Sequence, residues 1–399
     1  MNINKHSKQR LLKIVAIVGV AGGLIGITPP AIGQQKPPEM VAQSAALEEA
    51  ARLNEQTVQL YRQGKYDAAI PLAEQALTIH KRMLGAEHPN TATSLNNLAE
   101  LYKAQGRYEE AEPLYIQALD IIKRQLGAEH PDTATGLNNL AGLYELQGRY
   151  REAEPLYIQA LDIIKHQLGA EHPLTATSLN NLALLYKVQG RYEEAEPLYI
   201  QALDIRKRQL GTEHPDTAVS LNNLALLYFS QGRYEEAEPL YIQSLTIRKR
   251  QLGADHPSTA ISLNNLAGLY KTQGHYNEAE PLYIQALAII KRQLGADHPN
   301  TATGLNNLAG LYKVQGRYEE AEPLYIQALD IRKRQFGADH PSTAISLNNL
   351  AGLYYSQGRY REAEPFYLQA LQIFEQRLGP DHPNTLKVRN NLEALRNRR

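Results

Sequence analysis

Apolar residues recur at intervals of three and four along this chain, and the recurrence itself repeats. Between Pro131 and Gly169, Leu137, Leu140, Ala141 and Tyr144 follow the i, i+3, i+4, i+7 spacing of a helix with one apolar face. The stretch Gln147-Gly148-Arg149-Tyr150 then interrupts it, with Gly148 supplying a permissive turn. A second stripe follows at Tyr150, Ala153, Tyr157, Ala160, Leu161, Ile164 and Leu168. Glu152 and Glu154 fall in its first turns and Lys165 and His166 near its last, the polarity that suits a helix dipole. Gly169 is placed to end it as a left-handed cap, and Pro173 opens the next helix at its first position. Pro155 sits early in the second helix, where a lost hydrogen bond costs less than at mid-helix, and predicts a bend or a late start. The pattern therefore predicts a helical hairpin of two antiparallel helices.

The hairpin is copied along the chain. A pair of asparagines returns every 42 residues. Its first members are Asn96, Asn138, Asn180, Asn222, Asn264, Asn306, Asn348 and Asn390, and its second members begin Asn97, Asn139 and Asn181. The second series goes on through Asn223, Asn265, Asn307 and Asn349. A fixed period of this length marks an array of stacked units, not a set of unrelated domains. The predicted units are 47–85, 89–127, 131–169, 173–211, 215–253, 257–295, 299–337 and 341–379, with a lone capping helix at 383–396. Both ends depart from the pattern, as terminal repeats must to face water. The first unit has Glu55, Gln56 and Thr57 where later copies have Asn, Leu and Ala, and Arg389, Glu393 and Arg396 replace core residues in the last.

The spacing Leu137-x-x-Leu140-Ala141-x-x-Tyr144, then Gly148-x-Tyr150-x-x-Ala153 and Tyr157-x-x-Ala160, resembles the tetratricopeptide repeat. The longer period and the wording around Leu137-Asn-Asn-Leu-Ala and the Leu-Gly-Ala-Glu-His-Pro loops resemble the kinesin-light-chain type of that repeat. The resemblance covers roughly residues 47 to 396; the proline that usually ends the second helix is absent, and the His-Pro extension replaces it. It implies an all-α fold, a right-handed solenoid of about eight stacked hairpins plus the capping helix. It also implies that first helices line a concave groove, which in this family commonly binds peptide segments of other proteins.

The first 33 residues stand apart. Lys5, Lys8, Arg10 and Lys13, with no acid, precede an apolar run from Ile14 to Thr28 and a small-x-small close at Ala31 and Gly33. This describes a signal peptide cleaved near Gly33, predicting export to the periplasm or the medium. The run is short of the roughly 20 residues needed to span a bilayer, and the alternative is an uncleaved anchor in the inner membrane. Residues 34–46 read as a polar, Pro-containing linker that gives way to helix near Ala45.

Composition and motif searches narrow the chemistry. Basic and acidic residues balance at 42 each and cysteine is absent, which removes thiolate metal sites and disulfides and argues against a nucleic-acid partner. Eight His-Pro pairs (His88, His130, His172, His214, His256, His298, His340 and His382) lie one per inter-unit loop, so neighbours are too far apart to share a metal. They are expected to satisfy backbone groups at the turn. Of 24 tyrosines, all but Tyr61 and Tyr355 follow the Tyr144, Tyr150 or Tyr157 positions and read as scaffold, not as stacking platforms for bases. No phosphate loop, HExxH or GxSxG occurs, and a chain that repeats one surface offers no convergent set of unlike groups for catalysis. No enzyme activity and no cofactor is expected.

The asparagines remain. With about 100° per residue from Leu137, Asn138 falls near 100° and Asn139 near 200°, both off the core face. They belong to a second stripe with a repeated gap at Gly142, Gly268, Gly310 and Gly352, filled by Leu184 and Leu226 elsewhere. If first helices line the groove, this stripe is its floor, and carboxamides there can bond a peptide backbone whatever its side chains. The competing reading is that one asparagine of each pair bonds the adjacent helix. Selectivity then falls to the varying series Lys103, Glu145, Lys187, Phe229, Lys271, Lys313 and Tyr355. Four lysines to one glutamate favour acidic ligands, with the two aromatics as anchor sites; the alternative to peptide capture is a structural or self-assembling array with no peptide ligand, which the near-identity of the units favours.

Overall fold

The computed structural model describes residues 38–398, all helical or in short turns between helices. The signal-peptide segment lies outside the described residues. The chain opens with α1 (Pro38–Arg62) and closes with α17 (Pro383–Arg396). Between them, first helices are α3 (Pro89–Ala104), α5 (Pro131–Leu146), α7 (Pro173–Val188), α9 (Pro215–Gln231), α11 (Pro257–Gln273), α13 (Pro299–Val314) and α15 (Pro341–Ser356). Second helices are α2 (Tyr66–Leu84), α4 (Tyr108–Leu126), α6 (Tyr150–Leu168), α8 (Tyr192–Leu210), α10 (Tyr234–Leu252), α12 (Tyr276–Leu294), α14 (Tyr318–Phe336) and α16 (Tyr360–Leu378). Consecutive helices pack antiparallel into a right-handed solenoid of hairpins. Helix α1 begins at Pro38, upstream of the expected entry near Ala45, because the run through Met40 to Ala51 is rich in strong helix formers.

The unit follows the predicted stripes closely. Leu137, Ala141, Ala153, Tyr157 and Ala160 are almost wholly buried, and Tyr144, Leu161 and Ile164 nearly so. Leu168, which the second stripe places in the core, is instead exposed. Helix α6 runs unbroken from Tyr150 through Pro155, with no late start. The turn at Gly148 is a Schellman motif: Arg149 N–H donates to the Tyr144 carbonyl (2.8 Å) and Gly148 N–H to that of Glu145 (3.1 Å). Gly169 is not the left-handed helical cap expected. Its φ of 95° and ψ of 158° lie in an extended region that essentially only glycine occupies. This conformation lets its carbonyl accept from Thr175 Oγ1 at 2.8 Å, and each unit repeats that bond. The histidines cap as expected: His172 Nδ1 accepts from Leu174 N–H (3.2 Å), and each of the other His-Pro loops makes the same bond.

Units are joined by two side-chain devices. The first is a clasp. The Arg149 guanidinium lies 3.9 Å over the Tyr144 ring, pairs with Glu112 of the preceding unit (2.7 Å) and with Glu152 (2.6 Å). Tyr144 Oη donates to the same Glu112 at 3.0 Å. Arg191, Arg233, Arg317 and Arg359 repeat the arrangement. At position 275 a histidine stands in the arginine's place; Tyr270 still bonds Glu238 (2.8 Å), but the imidazole lies 6.2 Å from the tyrosine ring. Replacing His275 with arginine is expected to add the missing stack and ion pair and raise stability by about 0.5–1 kcal/mol. A denaturation midpoint that does not rise would show that the clasp contributes nothing there.

The second device is a set of buried arginines. Arg206, Arg248 and Arg332 are 5–7% exposed at a position that is isoleucine in three other units. Arg206 Nη1 donates to Ser220 Oγ (3.0 Å) and the Asp216 carbonyl (3.1 Å), and Arg248 makes the same two bonds to Ser262 (2.9 Å) and Ser258 (3.0 Å).

First helices contact one another along the stack (α5 with α7, α7 with α9, and so on to α15), so they form the crowded inner layer of a curved array and the longer second helices the outer one. The curvature brings one turn of the superhelix against the next. His298 Nε2 meets the Arg62 carbonyl and His340 Nε2 the Ala104 carbonyl, each at 3.2 Å and each 236 residues further along the chain.

Candidate functional site

The inner layer carries the asparagine pairs, and the structure shows what each series touches. The second asparagine of a unit donates Nδ2–H to Oδ1 of the first asparagine in the preceding unit. The rungs are Asn223 to Asn180 (3.4 Å), Asn265 to Asn222 (2.7 Å), Asn307 to Asn264 (3.4 Å), Asn349 to Asn306 (3.4 Å) and Asn391 to Asn348 (2.9 Å). The first series is further engaged by its own helix, as where Asn180, Asn264 and Asn306 donate to carbonyls one turn back. Asn180, Asn222, Asn265 and Asn306 are buried, Asn390 on the last helix is exposed, and the others are half-buried. The ladder therefore ties first helices to one another, the packing role that the sequence left open beside peptide contact. Its first rungs are open: Oδ1 of Asn96 and Oδ1 of Asn138 are buried without a hydrogen-bond partner. Asn97, Asn139 and Asn181 are half-buried beside them.

The gap beside the ladder is occupied from two sides. A Cβ built on Gly310 would lie 3.4 Å from Tyr325 Oη and 3.6 Å from Lys271 Nζ; on Gly352 it would lie 3.4 Å from Lys313 Nζ and 3.5 Å from Tyr367 Oη. Glycine at these positions makes room for a lysine ammonium from the preceding unit and a tyrosine hydroxyl from its own.

The varying series splits according to its partners. Lys103 pairs with the buried Glu100, which also accepts from Tyr115 Oη, so its charge is met within the fold. Lys187 has Glu145 near it; burial lowers its ammonium to about 8 against the opposing pull of that carboxylate. Phe229 packs on Tyr234 (5.7 Å between centroids) and Tyr355 on Tyr360 (5.4 Å), so both aromatics lean on their own hairpin. Lys271 and Lys313 have no ion pair among the described residues. Burial, and then the charge of Lys313, bring Lys271 down to about 8, and burial lowers Lys313 as well. Lys387, on α17, joins them: burial and then Lys313 lower it to about 8. Sequence reasoning passed over Lys387, because it stands at a position held by threonine, isoleucine or valine in the other units (Thr303, Ile345 and Val219 among them) and outside the varying series. The inner face at the C-terminal end thus holds three half-buried ammonium groups that repel one another.

Among the described residues no group of three His, Cys, Asp or Glu side chains could hold a metal ion, and no helix is long and apolar enough to cross a membrane.

A family model described as "Tetratricopeptide repeat" matches residues 49–124, 93–166, 132–187, 174–250, 221–292, 272–313, 300–376 and 351–399. Among solved structures, the nearly identical, kinesin-light-chain-type TPR-like repeats of Podosopora anserina are 32% identical. That match covers 52% of this chain and 98% of the other, with a TM-score of 0.43. BtubC of P. vanneervenii is 27% identical over 64% of this chain and 93% of its own, with a TM-score of 0.44. A Rap protein complexed with Competence and Sporulation Factor is 16% identical over 88% and 98%, with a TM-score of 0.52, a likeness of fold alone. No curated protein matches the chain.

Proposed function

The chain belongs to the tetratricopeptide repeat family, a fold typical of protein–protein interaction scaffolds, and on that premise we propose that it captures acidic peptide segments of partner proteins on its inner face. The observation that carries this reading is the trio Lys271, Lys313 and Lys387, half-buried along one stretch of the inner face with no ion pair among the described residues. Desolvated like charges destabilise a fold unless something opposite meets them, and an Asp- or Glu-rich segment supplies that charge. Lys187, flanked by Glu145, contributes less than the trio.

Fluorescence anisotropy with labelled peptides tests the reading. A peptide of alternating Glu and Leu is expected to bind at least about 10-fold more tightly than its Lys-for-Glu counterpart, an electrostatic discrimination that weakens with salt. Equal affinities, or none for either peptide, would remove it. We place this activity outside the cytoplasm, on the strength of the basic start and apolar run of residues 1–33. N-terminal sequencing of the native protein decides that point: a chain starting at Met1 would favour the membrane anchor instead.

A further inference from the structure

Successive turns of the superhelix meet as plug and socket. The socket is the glycine of a hairpin turn with the tyrosine two residues on; the plug is the last apolar residue of a second helix with the His-Pro pair behind it. Phe336 stacks on Tyr66 with centroids 5.8 Å apart, and His340 stacks on Phe336 at 4.4 Å. The imidazoles are oriented for this contact. Nδ1 of His298 and of His340 accepts a backbone N–H two residues on (3.1 and 2.8 Å), so the proton sits on Nε2 and is donated to the carbonyl one turn away. The fit needs glycine: a Cβ on Gly64 would lie 2.7 Å from Pro299 Cδ, and one on Gly148 2.9 Å from His382 Cδ2.

Within one chain the turns at Gly64, Gly106 and Gly148 are filled in this way, and the rest of both rims is bare. Nothing lies within 4 Å of a Cβ built at Gly190, Gly232, Gly274, Gly316 or Gly358. Open pockets of about 340 and 700 Å³ sit at the turns of Gly190 and Gly358, walled by Tyr192 and Tyr360, the counterparts of Tyr66. On the other rim two plugs of the N-terminal half, Leu126 and Leu168, are exposed, and Leu84 and Leu210 are half-buried. Leu126 and Leu168 are 38% and 37% exposed, whereas Leu378 at the same place in a docked turn is 9% exposed.

We propose that these two bare rims dock onto each other in successive copies of this chain, stacking the superhelices head to tail along one axis. The argument is continuity with a contact the chain already makes: the free sockets repeat at the same 42-residue step as the free plugs. Helix α17 fills the first-helix place of a ninth unit, so the nearest register it leaves open starts the incoming copy one unit later. That register sets His130, His172 and His214 of the incoming copy against Gly274, Gly316 and Gly358. The two faces are unlike, so the contact does not close on itself and growth is open-ended. It involves the rims and not the inner face, so it stands or falls apart from peptide binding.

Light scattering with two variants tests it. The weight-average mass of the native chain is expected to rise at least twofold between about 1 and 100 μM. The plug variant (His130→Asn, His172→Asn, His214→Asn) keeps a capping side chain at each helix start but loses the ring and its Nε2 donor. The socket variant (Gly274→Asn, Gly316→Asn, Gly358→Asn) uses the residue that best tolerates a left-handed turn and puts a Cβ into each socket. Each alone is expected to stay monomeric with an unchanged helical melt, and an equal mixture to give a one-to-one dimer that grows no further. A native chain that is monomeric throughout, an association that either variant leaves intact, or a mixture that remains monomeric would each overturn the proposal.

Discussion

Replacing Arg248 with alanine is expected to lower stability by about 3 kcal/mol, whereas replacing it with isoleucine should change stability by less than about 1 kcal/mol. Arg248 is 5% exposed and has no carboxylate beside it, and burial lowers its guanidinium to about 10. Its bonds are to the Ser258 carbonyl (3.0 Å) and Ser262 Oγ (2.9 Å). Alanine would leave a cavity the length of the side chain and take a charged donor away from the Ser258 carbonyl and Ser262 Oγ, and both losses act in the same direction. Isoleucine is different because the fold already contains that junction: Ile164, at the same place, faces Ser178 across the next helix and is 4% exposed. A serine hydroxyl there can turn to the carbonyl of its own helix, and the volume is filled. The measurement is denaturant unfolding fitted with nearest-neighbour coupling, since a stack of units need not unfold in one step. If the isoleucine variant lost as much as the alanine one, the guanidinium would be contributing something beyond filling space and satisfying two acceptors.

What could be read from the sequence was whatever repeats within one unit. The two stripes and the His-Pro caps follow from residues fewer than about 20 positions apart, where helical geometry is a reliable ruler, and the 42-residue period copies them along the chain. Leu168 shows where that ruler fails. It satisfies the helical spacing, but it sits at the end of the outer helix, and only the path of the superhelix decides whether another turn covers it. Phe336, its counterpart four units on, is covered by Tyr66. The Arg149–Glu112 clasp spans 37 residues, so no intra-unit pattern exposes it, although both residues repeat with the period. The buried arginines did leave a trace. Arginine takes the place of Ile164 in three units, and each time a serine lies 14 residues on; two of the isoleucine units, at Ile122 and Ile290, have glycine there instead. The asparagines were read correctly as lying off the core stripe. What the spacing left open was whether the neighbouring helix would take up their amide donors, because the distance between first helices is a property of the curvature.

Neutralising the inner lysine trio is expected to have opposite effects on binding and on stability. The variant Lys271→Gln, Lys313→Gln, Lys387→Gln keeps most of each stem and removes three charges, and should weaken an acidic peptide by about 100-fold near neutral pH. The same change should leave the unliganded fold at least as stable, because the charges removed are desolvated and repel one another. Titration gives an independent check with a defined sign. The folded values of Lys271 and Lys387 are about 8, below the ordinary lysine value of 10.5. Between those limits the unfolded chain holds protons that the folded chain has released. Stability therefore rises as pH increases from about 8 toward 10.5, and this gain is absent below that window. Binding moves the other way, since an acidic peptide needs the ammonium form and loses it over the same range. In the glutamine variant both slopes should flatten together. A peptide affinity that stayed constant from pH 7 to 10 in the native chain, or a variant that bound as tightly as the native protein, would show that the trio does not receive the ligand. A loss of stability on neutralisation would show instead that an anion within the fold already meets these charges.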